Sequence, residues 1–424
     1  MIITHAKSFA VTNSRGEETI AVSLETKSGR VISSAPSGKS RGKHEAEPFS
    51  NKGLNFSISF ANAISRKLIS EKSQFSSFDD LKNLESIFKS YDKTKNWSMI
   101  GGNTVFAFES AILKAIALSN NQELWQLLGK KKSLPMPVGN CIGGGQHVIK
   151  GSDQSSCSGS TSGSKCSSLT PKSDIQEFLF IPKTKNFYDA YFLNLQAYKE
   201  AKLEILKKDT LWRGELTDEK ALAASLKVYQ VLEVMDNVSE KIKQKYLQEL
   251  RLGMDIAASS LFKGGKYHYS NPKESITAEE QAEFILETLK KHKIFYLEDP
   301  FNEEDFENFS KITSKAKNTL VVGDDLTCTQ PERLEKAIKS KSVNAVIVKP
   351  NQNGSLLETK KFIDIAKKNN ITTIISHRSG ETMDSTIADL AVGWQIPFIK
   401  TGILGKERFA KLNRLLKIER EIAR

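Results

Sequence analysis

No two of the four cysteines, Cys141, Cys157, Cys166 and Cys328, stand in a Cys-x-x-Cys spacing, so a zinc site is not expected. They read as reduced thiols, with Cys157 and Cys166 close enough in sequence to pair under oxidation. No apolar run approaches the roughly 18 residues that span a bilayer, so no membrane span is expected. The first residues, MIITHAKSFAVTNSRG, lack the apolar stretch of a signal peptide, and the cytoplasm is the expected location. Lysine and arginine (62) outnumber aspartate and glutamate (50), giving a net charge of +12. No basic stripe is interleaved with aromatics, however, so the excess reads as a solvated lysine-rich surface and no nucleic-acid partner is expected. The regular C-terminal half also lacks a glycine-rich turn after its first strand, which argues against a doubly wound nucleotide-binding sheet.

What is present fits one large and one smaller folded unit. The chain has 424 residues, 39% hydrophobic and 26% charged, enough apolar material for an ample core. Residues 1–135 read as an α+β domain. Thr19–Glu25 alternates like a strand, and Arg30–Ala35 follows a Lys-Ser-Gly turn, which predicts a hairpin. APSGKSRGKHE, residues 35–45, is small and polar and predicts an exposed mobile loop. Helical periodicity follows over Ile58–Ile69, Leu81–Phe88, Val105–Leu118 and Leu124–Leu128.

Leu134-Pro135-Met136-Pro137 marks a boundary. A second domain over 136–424 follows, interrupted at about 151–172 by Ser/Gly-rich low-complexity sequence that cannot bury enough surface to order itself. Ile175–Ile181 predicts a strand. Residues 187–249 are mostly helical in pattern, broken at Asp209–Gly214.

From Leu252 onward, short apolar runs end in a polar group at Asp255, Glu298, Asp324, Lys349, His377 and Lys400, at intervals of 23 to 43 residues. That is roughly the length of a βα unit, and helical segments fill the gaps. Thr277 with Glu280, and Ser355 with Glu358, are capping boxes. The economical reading is a (β/α)8 TIM-type barrel carrying a smaller N-terminal α+β cap. In such a barrel, chemistry sits at the C-terminal ends of the strands.

Asp255, Glu298 and Asp324 would then converge at the barrel mouth. One acid after a strand is usually a cap or turn residue; three in register repel one another unless a cation neutralises them. All-oxygen ligation suits a hard ion, Mg²⁺ first. Lys349, Arg378 and Lys400 form a cationic half that suits a substrate with both a carboxylate and a phosphate. A lysine among other cations and near a metal is expected to have a depressed pKa and to act as a base. The reaction class implied is proton abstraction next to a carboxylate.

The segments GMDIAASSLF, YLEDPF, VGDDLT, KPNQNGS, SHRSGET, IADLAVG, IKTG and ERFAKLNRLL carry a specific resemblance to the enolase (phosphopyruvate hydratase) family, as a divergent member. NSRG, PSGKSRG-x-HEA and QEF extend it faintly to the N-terminal part. The resemblance implies a hydro-lyase converting 2-phospho-D-glycerate reversibly to phosphoenolpyruvate in glycolysis and gluconeogenesis, with Mg²⁺ and as a homodimer. It assigns Asp255, Glu298 and Asp324 to the metal and Ser40 to a second one. Lys349 becomes the base, Arg378 and Ser379 the phosphate site, and Lys400 the carboxylate site. His147, Gln176, Glu177 and His377 fall on the substrate side. The family's acid lies in a GDEGG loop; the nearest stretch here is RGELTDEKAL, and Glu215 is its candidate. SRGNPT of the family is SRGEETI here. The competing expectation is an enolase-like chain with lost or weak turnover that serves as a binding or structural component.

Overall fold

A computed structural model describes residues 1–39, 41–145 and 172–423. Ser40, His147 and nearly all of the Ser/Gly-rich stretch lie outside them. The N-terminal part is a three-stranded antiparallel sheet of β1 (His5–Thr12), β2 (Glu18–Thr26) and β3 (Gly29–Ser34), with β2 in the centre. Four helices come next: α1 (Leu54–Ser70), α2 (Leu81–Tyr91), α3 (Gly102–Ser119) and α4 (Leu124–Leu128). Residues 102–113 of α3 are buried throughout. A helix buried on every side must be a central element, and α3 lies between the sheet and the larger domain.

The larger domain is a closed barrel. Its strands are β4 (Met136–Gly143), β5 (Glu177–Lys183), β6 (Glu249–Asp255), and then, past a small sheet of β7 (Phe262–Lys263), β8 (Lys266–Ser270) and β9 (Lys273–Ile276), β10 (Tyr296–Glu298), β11 (Leu320–Gly323), β12 (Ala345–Val348), β13 (Thr372–Ser376) and β14 (Phe398–Lys400). The barrel is filled by Val138, Leu179, Ile181, Tyr296, Val322, Ala345, Ile347 and Ile374.

Six of the eight barrel contacts are parallel, but β5 runs antiparallel to both β4 and β6. The cause is the connection from β5 to β6. Two helices, α5 (Phe187–Lys208) and α6 (Val228–Tyr246), stand between these strands. One helix returns the chain to the starting end and gives a parallel neighbour; two reverse the direction once more. The α5–α6 turn, residues 209–227, is therefore carried to the same end of the barrel as the C-termini of the other strands. The breaker at Asp209–Gly214 marked this turn, though the sequence pattern alone did not show its destination.

The remaining helices are α7 (Ala278–His292), α8 (Phe306–Lys315), α9 (Pro331–Lys339), α10 (Pro350–Asn353), α11 (Leu356–Lys368), α12 (Thr386–Gly393) and α13 (Lys406–Ala423). Thr277 caps α7 through the box expected from its sequence, and Ser355 Oγ accepts the Glu358 N–H at the start of α11. The α11 start is also where the domains are joined: Glu109 of α3 accepts the Leu356 N–H at 2.6 Å.

Candidate active site

The barrel mouth holds a polar cavity of about 50 Å³. The ends of the barrel strands deliver its polar groups. Asp255 and Glu298 end β6 and β10 and are register partners; Asp324 follows β11; Lys349 follows β12; His377, Arg378 and Ser379 follow β13; Lys400 ends β14. Glu177, the first residue of β5, enters at the same level because β5 runs the other way: it pairs with Asp255. Gln176, Glu177, Asp255, Asp324, Lys349, His377, Arg378, Ser379 and Lys400 all line the cavity. Glu298 lies beneath it, fully buried.

Charge is paired across the mouth. Lys400 Nζ sits among Glu298 (2.7 Å), Glu177 (2.8 Å) and Asp255 (2.9 Å). Lys349 Nζ bonds Asp324. Burial pushes the Glu298 carboxyl well above its ordinary range, and the neighbouring Asp255 adds to that. Burial would raise Asp324 too, but the bonded Lys349 brings it below the usual carboxylate value. The expected depression of Lys349 is not found: burial lowers it, yet Asp324 more than compensates and the ammonium is held above its ordinary value. A cation held by Asp324 would take that carboxylate's charge away from the lysine.

The carboxylates fit a hard divalent ion. Asp255, Glu298 and Asp324 come from adjacent strands, and Asp255 and Asp324 each raise the pKa of Glu298. Glu298 Oε1 is buried without a partner among the described residues. The tightest group of acidic oxygens is a different one, Asp299, Asp324 and Asp325, all within 4.8 Å. Asp299 is nevertheless committed elsewhere: Oδ1 accepts the Asp324 N–H (3.0 Å) and Oδ2 the Asp325 N–H (2.7 Å). It shapes the Asp324 turn and has no oxygen left undonated to. Burial, with Asp324 beside it, pushes Asp325 up to about 8.

The loop at residues 36–45 covers one side. Ser37 and Gly380 exchange two backbone hydrogen bonds of 2.8 Å. The Lys39 N–H donates to Ser379 Oγ at 2.8 Å. Glu45 accepts from Arg378 (2.8 Å), from Gln352 Nε2 (3.2 Å) and from the Gly42 N–H (3.0 Å). Gly42 must be glycine for this seat: a Cβ there would lie 2.6 Å from Cys328 Sγ.

Glu215 is not at the mouth. Its side chain is exposed, is absent from the cavity lining and accepts the Arg213 N–H at 2.9 Å. The acid that the 209–227 turn brings to the cavity is Glu219, 3% exposed, with Oε2 3.3 Å from His377 Nε2 and 3.3 Å from Asn140 Nδ2. Burial lowers the His377 pKa against the pull of Glu219. The signal was present in sequence: Asp218-Glu219 preserves the Asp-Glu pair of the family loop, Glu219 standing four residues beyond Glu215. Glu45, Lys39, Asp299 and Asp325 were also missed; each is positioned by loop contacts that no spacing rule encodes.

Both parts of the chain have counterparts among known proteins. Residues 163–424 match the family description "Enolase, C-terminal TIM barrel domain", and residues 3–128 match "Enolase, N-terminal domain". The chain is 37% identical to the enolase of Methanosphaera stadtmanae over 97% of its own length and 95% of that protein's. It is 36% identical to the enolase of Archaeoglobus fulgidus, covering 99% and 97%, and 36% identical to that of Methanothermobacter thermautotrophicus, covering 99% and 97%. With both domains matched and near-complete coverage, the chain belongs to the enolase family.

Proposed function

We infer that this chain is a phosphopyruvate hydratase, interconverting 2-phospho-D-glycerate and phosphoenolpyruvate plus water. The observation that carries the reading is a single cavity lined by a lysine, an acid from a separate loop and an anion clamp: Lys349, Glu219 and Arg378-Ser379. The names of the curated relatives support it. The competing reading of an inactive binding or structural component was motivated by the basic surface and the departure from the family's acid loop; the buried Glu219 at the cavity is a candidate for the acid that loop supplies.

In this reading, Arg378 and Ser379 bind the phosphate and Lys400 the carboxylate. Lys349 removes the proton from the carbon bearing the phosphate. Glu219, paired with His377, delivers a proton to the departing hydroxyl. Gln176 and Glu177 border the substrate. Asp255, Glu298 and Asp324 would hold Mg²⁺, which supplies positive charge to the carboxylate as the neighbouring carbon loses its proton. Ser40 and His147 stay proposed for a second metal and the substrate side from the resemblance alone. A capping domain over 1–135 and a barrel domain over 136–424, a homodimer, a cytoplasmic location and a place in glycolysis and gluconeogenesis complete the proposal. No helix among the described residues is long and apolar enough to cross a membrane.

The test is phosphoenolpyruvate formation from 2-phosphoglycerate with Mg²⁺, with EDTA, and with Mg²⁺ restored in excess. Product that appears only with the metal is expected. No metal-dependent product at high enzyme concentration overturns the reading.

A further inference from the structure

Of the eight hydrophobic side chains packed together inside the barrel, Tyr296 alone carries a polar atom. Tyr296 sits fully buried among valines, leucines and isoleucines, two residues before Glu298 on β10, so both side chains face inward. A hydroxyl at such depth needs a partner. Its partner is Glu298: Tyr296 Oη donates to Oε2 at 2.5 Å. Room for the ring comes from the neighbouring strand. Gly253 is the register partner of Tyr296, and a Cβ at Gly253 would lie 3.0 Å from the Tyr296 Cβ and 3.0 Å from Ile181 Cδ1.

The consequence is an asymmetry in the Glu298 carboxylate. Oε2 receives two donors, the Tyr296 phenol and Lys400 Nζ at 2.7 Å. Oε1 is buried and receives none among the described residues. A carboxylate whose orientation is fixed by one hydrogen-bonded oxygen presents the other to a cation without losing further rotational freedom on binding.

We propose that Tyr296 is a positioning residue for cation binding: its phenol fixes Glu298 through Oε2 so that Oε1 is the oxygen offered to a divalent ion. The inference rests on Asp255, Glu298 and Asp324 forming the cradle.

The test is direct binding of Mn²⁺, used as a paramagnetic probe, to the substrate-free full chain, followed by electron paramagnetic resonance or calorimetry. Tyr296→Phe keeps the ring and its volume and removes only the donor. Partners of this kind are typically worth about 10- to 100-fold in metal affinity, and a loss of at least about tenfold is expected at unchanged fold by circular dichroism. Tyr269→Phe is the comparison: it removes another buried phenol, bonded to Gln281 away from the cradle, and should leave Mn²⁺ affinity unchanged. Equal Mn²⁺ affinity of Tyr296→Phe and the unsubstituted protein overturns the positioning role and leaves the cradle standing. An equal loss in both variants also overturns it, since the effect would be general to buried hydroxyls. An unsubstituted protein that binds no Mn²⁺ overturns the cradle and the inference together.

Discussion

Glu45 Oε2 lies 2.8 Å from a guanidinium nitrogen of Arg378, and both side chains are only 6% exposed. The carboxylate belongs to the 36–45 loop and the guanidinium to the β13 end, so this pair fastens the loop to the proposed anion clamp. Asn351 Oδ1 holds the other side of the fork at 3.2 Å. A charge-assisted hydrogen bond of this kind is worth roughly 1.5–3 kcal/mol. Glu45→Gln is therefore expected to raise KM for 2-phosphoglycerate about tenfold and to speed proteolytic cutting within 36–45, because the loop can lift without global unfolding. Unchanged KM and unchanged cutting would show that the loop is held without this pair.

Lys39 Nζ and Asp218 Oδ2 stand 3.3 Å apart and join the 36–45 loop to the turn that carries Glu219. Asp218 is mostly buried while Lys39 is 29% exposed, so the pair is partly screened. An effect of about two- to fivefold on kcat/KM is expected from Lys39→Met or Asp218→Asn. The double variant should be no worse than the poorer single one, since both remove one contact. Additive losses in steady-state kinetics would mean the two residues act separately.

The two acids of the 209–227 turn should differ sharply. Glu219→Gln removes the proposed proton donor inside the cavity and is expected to lower kcat by about 10²-fold or more. Glu215→Gln alters an exposed side chain and should leave kcat within about twofold. Parallel assays of the two variants decide between them; the opposite order would return the acid role to Glu215.

Asp384 links the domains. Its Oδ2 accepts from Lys114 Nζ (2.7 Å), Ser33 Oγ (3.0 Å) and the Ser34 N–H (3.1 Å). Burial opposes the charge, but Lys114 and the Thr386 N–H lower the carboxyl from 3.8 to about 2. A carboxyl lower in the folded than in the unfolded chain stabilises fully above the unfolded value and loses that contribution as pH falls from about 4 to 2. At roughly 1.4 kcal/mol per pKa unit this is about 2 kcal/mol. Asp384→Asn should thus be less stable in urea unfolding at pH 7 by about that amount. Its stability should also change less than that of the unsubstituted protein over the acid range. A variant as stable as its parent at pH 7 would show that the charge contributes nothing.

The sequence determined the periodic half of this protein. Strands that end in Asp255, Glu298, Asp324, Lys349, His377 and Lys400 at βα spacing point to one closed arrangement, and local apolar runs state where each begins and stops. Helix caps at Thr277 and Ser355 were equally local, needing a hydroxyl and the residue three positions on. The cationic and acidic halves of the mouth were therefore legible along the chain itself. Other features depended on where separate segments meet. The direction of β5 comes from two helices instead of one, and that count decides that residues 209–227 end at the mouth. Glu219 faces His377, 158 positions away in sequence, because two loops meet over the barrel, whereas Glu215, four residues earlier, is left in solvent. Glu45 reaches Arg378 and Tyr296 reaches Glu298 through packing that depends on Gly42 and Gly253 having no side chain. Spacing along the chain carries the order of the strands; which side chains meet at their ends is decided by loop geometry and steric room, and those exist only once the barrel has closed.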